Sequence, residues 1–165
     1  MSDNTRTNFL HIHIAEQQCR LWLNGQCVFS APVSTALNGV GEQNGSGQTP
    51  GGWHQIRACI GDGMPVNTVY RGRRPTGEIY SPALAKQHPQ RDWILTRILW
   101  LSGSEPGKNR LGQVDSMRRY IYIHGTPDSE PMGEPRSHGC IRMRNDDVIA
   151  LFSLVTPGLP VLIDA

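Results

Sequence analysis

The stretch PRSHGCIRMRNDD, from Pro135 to Asp147, sets a histidine, a glycine and a cysteine in succession and follows them with two arginines. None of these residues serves a core, and all of them suit a reaction. A thiolate is the strongest ordinary protein nucleophile at neutral pH, but a free thiol is mostly protonated there and needs a base or a positive environment. Cys140 has two histidines within reach, His138 two residues before it and His124 at the end of RRYIYIHG. His138 points the same way as Cys140 in an extended chain, yet so near a neighbour rarely aligns for in-line proton transfer. The loop TPDSEPMGEPR is long enough to bring Cys140 back beside the end of the strand that carries His124. His124 is therefore expected to be the base, His138 a positioning group, and Cys140 a low-pKa thiol that alkylates ahead of the other cysteines.

The neighbours extend the same chemistry. Gly139 lets backbone approach a substrate closely. Successive N–H groups in SHGC can converge into an anion-binding nest beside the nucleophile. Losing one such oxyanion donor typically costs roughly 3–4 kcal/mol of barrier. Arg142 suits a carboxylate clamp. Arg144 either does the same or faces water, and Ser137 can hydrogen-bond within the loop.

The elements that must position these groups read mainly as strands. NFLHIHI alternates at period two, with Phe9, Ile12 and Ile14 as its apolar set. His11 and His13 read as a solvent-facing strand edge. RLWLNGQCVFS is a hairpin turning at Asn24–Gly25. Residues 34–52 form a long Gly-, Asn- and Ser-rich loop, and WHQIRACI returns to a strand. Residues 61–77 read as a second irregular excursion, with a short strand near Glu78–Tyr80. The two irregular segments are candidate lids. Asp92–Gly103 reads as a strand from its β-branched and aromatic content. In RRYIYIHG, Tyr120, Tyr122 and His124 share one face, and Ile121 and Ile123 take the other, toward the core. Tyr120 and Tyr122 either line a pocket or pack across strands; Trp53, Trp93 and Trp100 read as core. Asn145 is the expected N-cap of a helix with Asp146 and Asp147 in its first turn and Val148, Leu151, Phe152 and Val155 at helical spacing. LPVLID is a final strand. One clear helix is expected.

Composition narrows the class. The 165 residues fit a single domain, 1–165, large enough to bury a core without staples. A net charge of +2 does not suit a nucleic-acid binder. The basic cluster Arg71, Arg73 and Arg74 reads first as a solvated loop, with an anionic ligand as the alternative. Cys19, Cys27, Cys59 and Cys140 show no CxxC spacing, so neither a zinc ribbon nor a redox pair is indicated. Cys19, Cys27 and Cys59 read as small buried hydrophobes. Asp3, Asn4, Arg6 and Asn8 interrupt any apolar run near the start, and no segment reaches the length of a membrane span. With Met1 as the native start the expected location is cytoplasmic, and periplasmic if a leader precedes it.

SHGCIRM, with IHG at Ile123–Gly125 upstream, resembles the L,D-transpeptidase catalytic domain, the YkuD-type fold. QTPGGWHQI at Gln48–Ile56 and GLPVLI at Gly158–Ile163 resemble further segments of that family, so the likeness runs from about Pro32 to Ile163. It implies a mainly β fold, a β-sandwich or barrel-like sheet, with one helix after the cysteine loop. It implies that Cys140 attacks the carbonyl of the third residue of a peptidoglycan stem tetrapeptide, that terminal D-Ala leaves, and that an acyl thioester remains. His124 would move the proton, backbone N–H groups of His138, Gly139 and Cys140 would hold the oxyanion, and Arg142 would bind a substrate carboxylate. No metal or organic cofactor is required. The residue after the first histidine is Gly125, so any support it gives His124 must come from its carbonyl. Water as acceptor gives an L,D-carboxypeptidase; an amine from a second stem gives 3→3 cross-linking. A cytoplasmic location favours hydrolysis of soluble tetrapeptides or muropeptides during recycling. The competing readings are a muropeptide-binding module without chemistry and a zinc site built from His124, His138 and Cys140.

Overall fold

Period-two alternation between glycine-rich turns produces ten strands in the computed structural model, which describes residues 6–165. They are β1 (Phe9–His13), β2 (Gln18–Leu23), β3 (Gln26–Ser34), β4 (Gly52–Ile60), β5 (Thr68–Arg71), β6 (Arg74–Ile79), β7 (Leu95–Gly103), β8 (Tyr122–Thr126), β9 (Ile141–Arg144) and β10 (Pro160–Asp164). Helices α1 (Pro82–Gln87) and α2 (Asn145–Leu154) complete the regular structure. The strands follow the order β4-β10-β1-β2-β3-β9-β8-β7-β5-β6, and β4 also pairs with β7. That extra pairing closes a ring from which the β5–β6 hairpin projects. Two pairings are parallel, β1 with β10 and β8 with β9. The architecture is mainly β and barrel-like, as expected.

The ring is filled by one side of each strand. Leu10, Ile12, Leu21, Ile56, Leu99, Ile123, Ile141 and Ile163 are buried in one cluster; α2 adds Val148 and Leu151, and Val155 joins them at the helix's C-cap. Each fully buried aliphatic side chain contributes about 1.5–3 kcal/mol. Because β8 turns Ile123 inward and β9 turns Ile141 and Met143 inward, Tyr122, His124 and Arg142 must face the other way. The β2–β3 turn is formed by Asn24 (φ 53°) and Gly25 (φ 75°), the primed geometry that hairpin twist favours.

Five details differ from the sequence reading. Leu10 and Ile12 are the buried residues of β1, while Phe9 lies outside with its ring edge-on to Trp53. Residues 68–79 form a hairpin where an irregular excursion is predicted. Its turn uses Gly72 and Arg73 (φ 64°), and an arginine in the left-handed region hides the usual turn signature. Helix α1 is a second, short helix, capped by Ser81, whose hydroxyl accepts from Leu84 N, with a proline in its first turn. Tyr120 is not on β8; it sits in a turn at φ 56° and is exposed. Asn145 is the first helical residue and not the cap, a position taken by Arg144 without a side-chain bond. The Asn145 amide is used elsewhere: it accepts from Thr96 Oγ1 at 2.6 Å and donates to Asn67 Oδ1 at 3.0 Å.

Candidate active site

The parallel β8–β9 register sets Ile123 beside Ile141 and His124 beside Arg142. Cys140, one residue before β9, therefore lies next to Tyr122 and on the same outward face as His124. Hydrogen bonds fix that placement. Tyr122 N donates to Cys140 Sγ at 3.4 Å, and the thiol donates to Tyr120 O at 3.3 Å. The left-handed turn at Tyr120 is what aims this carbonyl at the sulfur.

His124 is buried at 1% exposure, and its Nδ1 lies 2.6 Å from Gly125 O. A carbonyl only accepts, so Nδ1 carries the proton and Nε2 keeps its lone pair. Burial holds the imidazole below its usual pKa, partly offset by the Gly125 contact and by the Asp92 carboxylate. Gly125 has a steric reason as well: a methyl group there would collide with Asn145 Oδ1 and Leu95 O. The Asn145 network thus packs directly against the peptide that orients His124.

The Cys140 thiol departs from the low-pKa expectation. Burial pushes it up to about 12; the Tyr122 N–H opposes the rise, and Asp92 adds to it. The sulfur packs against Tyr70, Ile98 and Tyr122, so the thiolate would be poorly solvated. Cys27 is exposed, which removes the basis for expecting Cys140 to alkylate first. Cys19 is buried in the main core and its thiol is also pushed up by burial; all four cysteines are free.

The cysteine loop is bound from both sides. Ser137 Oγ donates to Cys140 O at 2.5 Å and accepts from Gly139 N at 3.2 Å, so the Gly139 N–H is already engaged. Gly139 has φ 138°, a conformation suited to glycine. Thr49 Oγ1 donates to Gly139 O at 2.9 Å and accepts from Ala36 N. This gives the threonine of QTPGG a role: it ties the 34–52 loop to the cysteine loop.

Around this centre lie residues that sequence reasoning did not single out. Asp92 Oδ1 is 3.1 Å from Arg142 Nη2, and Asp92 Oδ2 is 3.4 Å from His138 Nδ1. Arg142 Nη1 also stands 3.7 Å from Glu130 Oε2, so its guanidinium is paired with the protein's own carboxylates. His138 is 76% exposed. Arg119 donates to Gly41 O, Glu42 O, Ser46 Oγ and Gln48 O, holding the 41–48 segment over the cysteine. No spacing rule pointed to Asp92 or Arg119; their positions depend on how distant loops fold back. Arg144 is exposed. Two cavities meet at His138. One of about 380 Å³ is lined by Asn44, Gly47, Arg119, His138 and Cys140; one of about 270 Å³ is lined by Asp92, Glu130, His138 and Arg142. Among the described residues no group of three or more His, Cys, Asp and Glu side chains is arranged to hold a metal ion. Among the same residues no helix is long and apolar enough to cross a membrane.

The family model of the L,D-transpeptidase catalytic domain matches residues 7–163. YqjB of Bacillus subtilis (strain 168), which carries L,D-transpeptidase in its name, is 51% identical over 45 residues, 27% of this chain and 26% of that protein. YkuD of the same organism, similarly named, is 45% identical over 47 residues, 28% of this chain and 29% of that protein. Among solved structures, L,D-transpeptidase 3 from Mycobacterium tuberculosis shares the fold at TM-score 0.59 and 15% identity, over 96% of this chain and 61% of its own. A mutant L,D-transpeptidase from Enterococcus faecium does so at TM-score 0.59 and 14% identity, over 96% of this chain and 50% of its own. The chain thus spans one half to three fifths of those solved chains, and the stretches aligned to the two Bacillus proteins cover little more than a quarter of each. With one family model spanning nearly all of its length and the shared fold beside it, this chain belongs to the L,D-transpeptidase catalytic domain family.

Proposed function

We propose that residues 7–163 form a single catalytic domain that transfers an acyl group from a peptidoglycan stem tetrapeptide through Cys140. The observation that carries this reading is the parallel β8–β9 register, which sets Cys140 and His124 on one face with His124 Nε2 free to accept a proton. Cys140 Sγ turns from Tyr120 O toward His124 Nε2 and attacks the carbonyl carbon of the third residue. The thiol proton passes to Nε2 as the S–C bond forms, so a poorly solvated thiolate never accumulates. Since Gly139 N is held by Ser137, the oxyanion is received by the N–H groups of His138 and Cys140. The C–N bond then breaks, Nε2 returns the proton to the leaving amine, D-Ala departs and a thioester remains. Water, activated at Nε2, releases the tripeptide and restores the thiol, an L,D-carboxypeptidase turnover. Arg142, held by Asp92 and Glu130, orders the wall beside His138.

One observation favours a second reading, transfer to an amine of a second stem. A cavity lined by Cys140 and His138 adjoins a second lined by His138, Asp92 and Arg142, which would let a second peptide lie next to the first. Incubating the protein with a disaccharide tetrapeptide, with and without an amine acceptor, and identifying products by mass spectrometry tests both. Loss of one alanine is expected, and dimer formation selects the second reading. Cys140→Ala is expected to keep the melting temperature and to lose at least about a thousandfold in turnover. An unchanged peptide with wild-type protein would leave a binding module instead.

A further inference from the structure

Three guanidinium groups surround the cysteine loop, and they differ in what already satisfies them. Arg142 faces Asp92 and Glu130. Arg119 spends its donors on four oxygens of the 41–48 segment. Arg73, at the tip of the β5–β6 hairpin, has only neutral partners. Its Nη1 donates to Tyr122 Oη at 3.0 Å, and its guanidinium lies 4.3 Å from the Trp100 ring centre and 5.1 Å from that of Tyr120. Among the described residues no carboxylate pairs with it.

This cation is placed on the reactive face. Tyr122 belongs to the small cluster against which Trp100 and Cys140 both pack, and the Tyr122 backbone bonds the sulfur itself. Arg73 therefore covers the outer end of the same aromatic pair whose inner end holds the nucleophile. Arg73 has a left-handed backbone (φ 64°), and its guanidinium reaches back over the sheet to Tyr122 and Trp100. Two rings shield one side of the guanidinium from water, and only one N–H is spoken for by Tyr122. The remaining N–H groups form a fork suited to a carboxylate, and partial desolvation strengthens such a pair.

We infer that Arg73 receives a carboxylate of the peptide whose carbonyl Cys140 attacks, so that the β5–β6 hairpin selects acidic donors. The inference rests on the acyl-transfer reading and deepens it. In a stem tetrapeptide the chain terminus lies one residue beyond the reacting carbonyl, and an attacked residue whose side chain carries an acid would offer a second carboxylate. The chemistry is the same for both, and amidation separates them.

The test compares wild type, Arg73→Gln and Arg73→Lys on three peptides: the free acid, the C-terminal amide and the side-chain amide. With the free acid, Arg73→Gln is expected to raise KM about tenfold or more while kcat changes less, and Arg73→Lys recovers part of the loss. The penalty disappears on the one amide that lacks the recognised carboxylate. Because Arg73 sits at an exposed hairpin tip, the melting temperature is expected to stay near that of wild type. Calorimetric binding of the same peptides to Cys140→Ala protein, with and without Arg73→Gln, makes the measurement independent of turnover. Binding that depends on Arg73 without turnover by wild type would defeat the acyl-transfer reading while upholding carboxylate recognition by Arg73. An equal loss on the acid and both amides, no loss at all, or no binding overturns it.

Discussion

The ring contains two parallel strand pairs, and both put histidines on their outer face. On β1 and β10, Leu10, Ile12, Val161 and Ile163 fill the core while His11 and His13 look outward. On β8 and β9, Ile123, Ile141 and Met143 fill the core while Tyr122, His124 and Arg142 look outward. The inner halves are interchangeable in kind. The outer halves are not. His11 is 20% exposed; its Nε2 lies 2.9 Å from Asp164 on the neighbouring strand, and its ring rests near those of Phe9 and His13. His124 is 1% exposed, with the Asp92 carboxylate near enough to influence its charge and the Asn145 network packed behind its peptide. A parallel pair supplies the spacing; irregular chain supplies the environment. Replacing the two histidines should expose that difference most strongly. His124→Gln is expected to lower kcat/KM about a hundredfold to ten-thousandfold, the range typical of a lost general base, whereas His11→Gln leaves turnover unchanged. Similar losses from both in a tetrapeptide assay would mean that the covering loops add nothing.

The inner halves give the converse test. Ile12→Ala and Ile141→Ala are each expected to destabilise the domain by about 2–5 kcal/mol, read from urea unfolding midpoints. Turnover of Ile12→Ala measured well below its melting temperature should stay near that of wild type. Ile141 is joined to Cys140 through one peptide bond, so the cavity it leaves is expected to cost activity as well. An equal activity loss from both would show that the core acts on the site as a whole and not through β9.

The same contrast explains what was legible in the sequence. Alternation alone indicated the inward face of β8, the shared face of Tyr122 and His124, the existence of β4 as a strand, and the Asn24–Gly25 hairpin, because period two and a primed turn are local properties. SHGC read as chemistry because Gly139 and Cys140 between polar neighbours have no packing use. Asp92, Arg119 and the Thr49 hydroxyl were not legible, since each acts across a long loop whose path no local rule describes. The β5–β6 hairpin was missed because β5 is only four residues long, β6 is mostly exposed and polar, and the turn hides behind an arginine. The thiol's environment was misjudged for a related reason. SHGC looks open in one dimension, while a cluster that includes Tyr70 and Ile98, far away in sequence, packs against Cys140.

A third histidine sharpens the comparison with a smaller effect. His54, on β4 beside β10, is fully buried, yet it makes no site. Both ring nitrogens are used, Nδ1 with Gly52 O at 3.0 Å and Nε2 with Ser116 Oγ at 2.8 Å, whereas His124 uses one. Burial lowers the His54 pKa to about 4, so the folded protein resists protonating it while the unfolded chain accepts a proton near the ordinary value of 6.5. The stability it contributes is present above about pH 6.5 and falls as pH drops toward 4. At about pH 5.5 the loss from this group amounts to about 1 kcal/mol. Urea midpoints across that range should fall less steeply for His54→Gln than for wild type, because glutamine does not titrate. His124 is also held below its usual value, so kcat/KM should hold steady to a pH below 6.5 before its acid limb begins, in wild type and His54→Gln alike. A common change in both the stability slope and the kinetic limb on replacing His54 would mean that the two imidazoles are coupled, and that the quiet side of the ring is not separate from the reactive one.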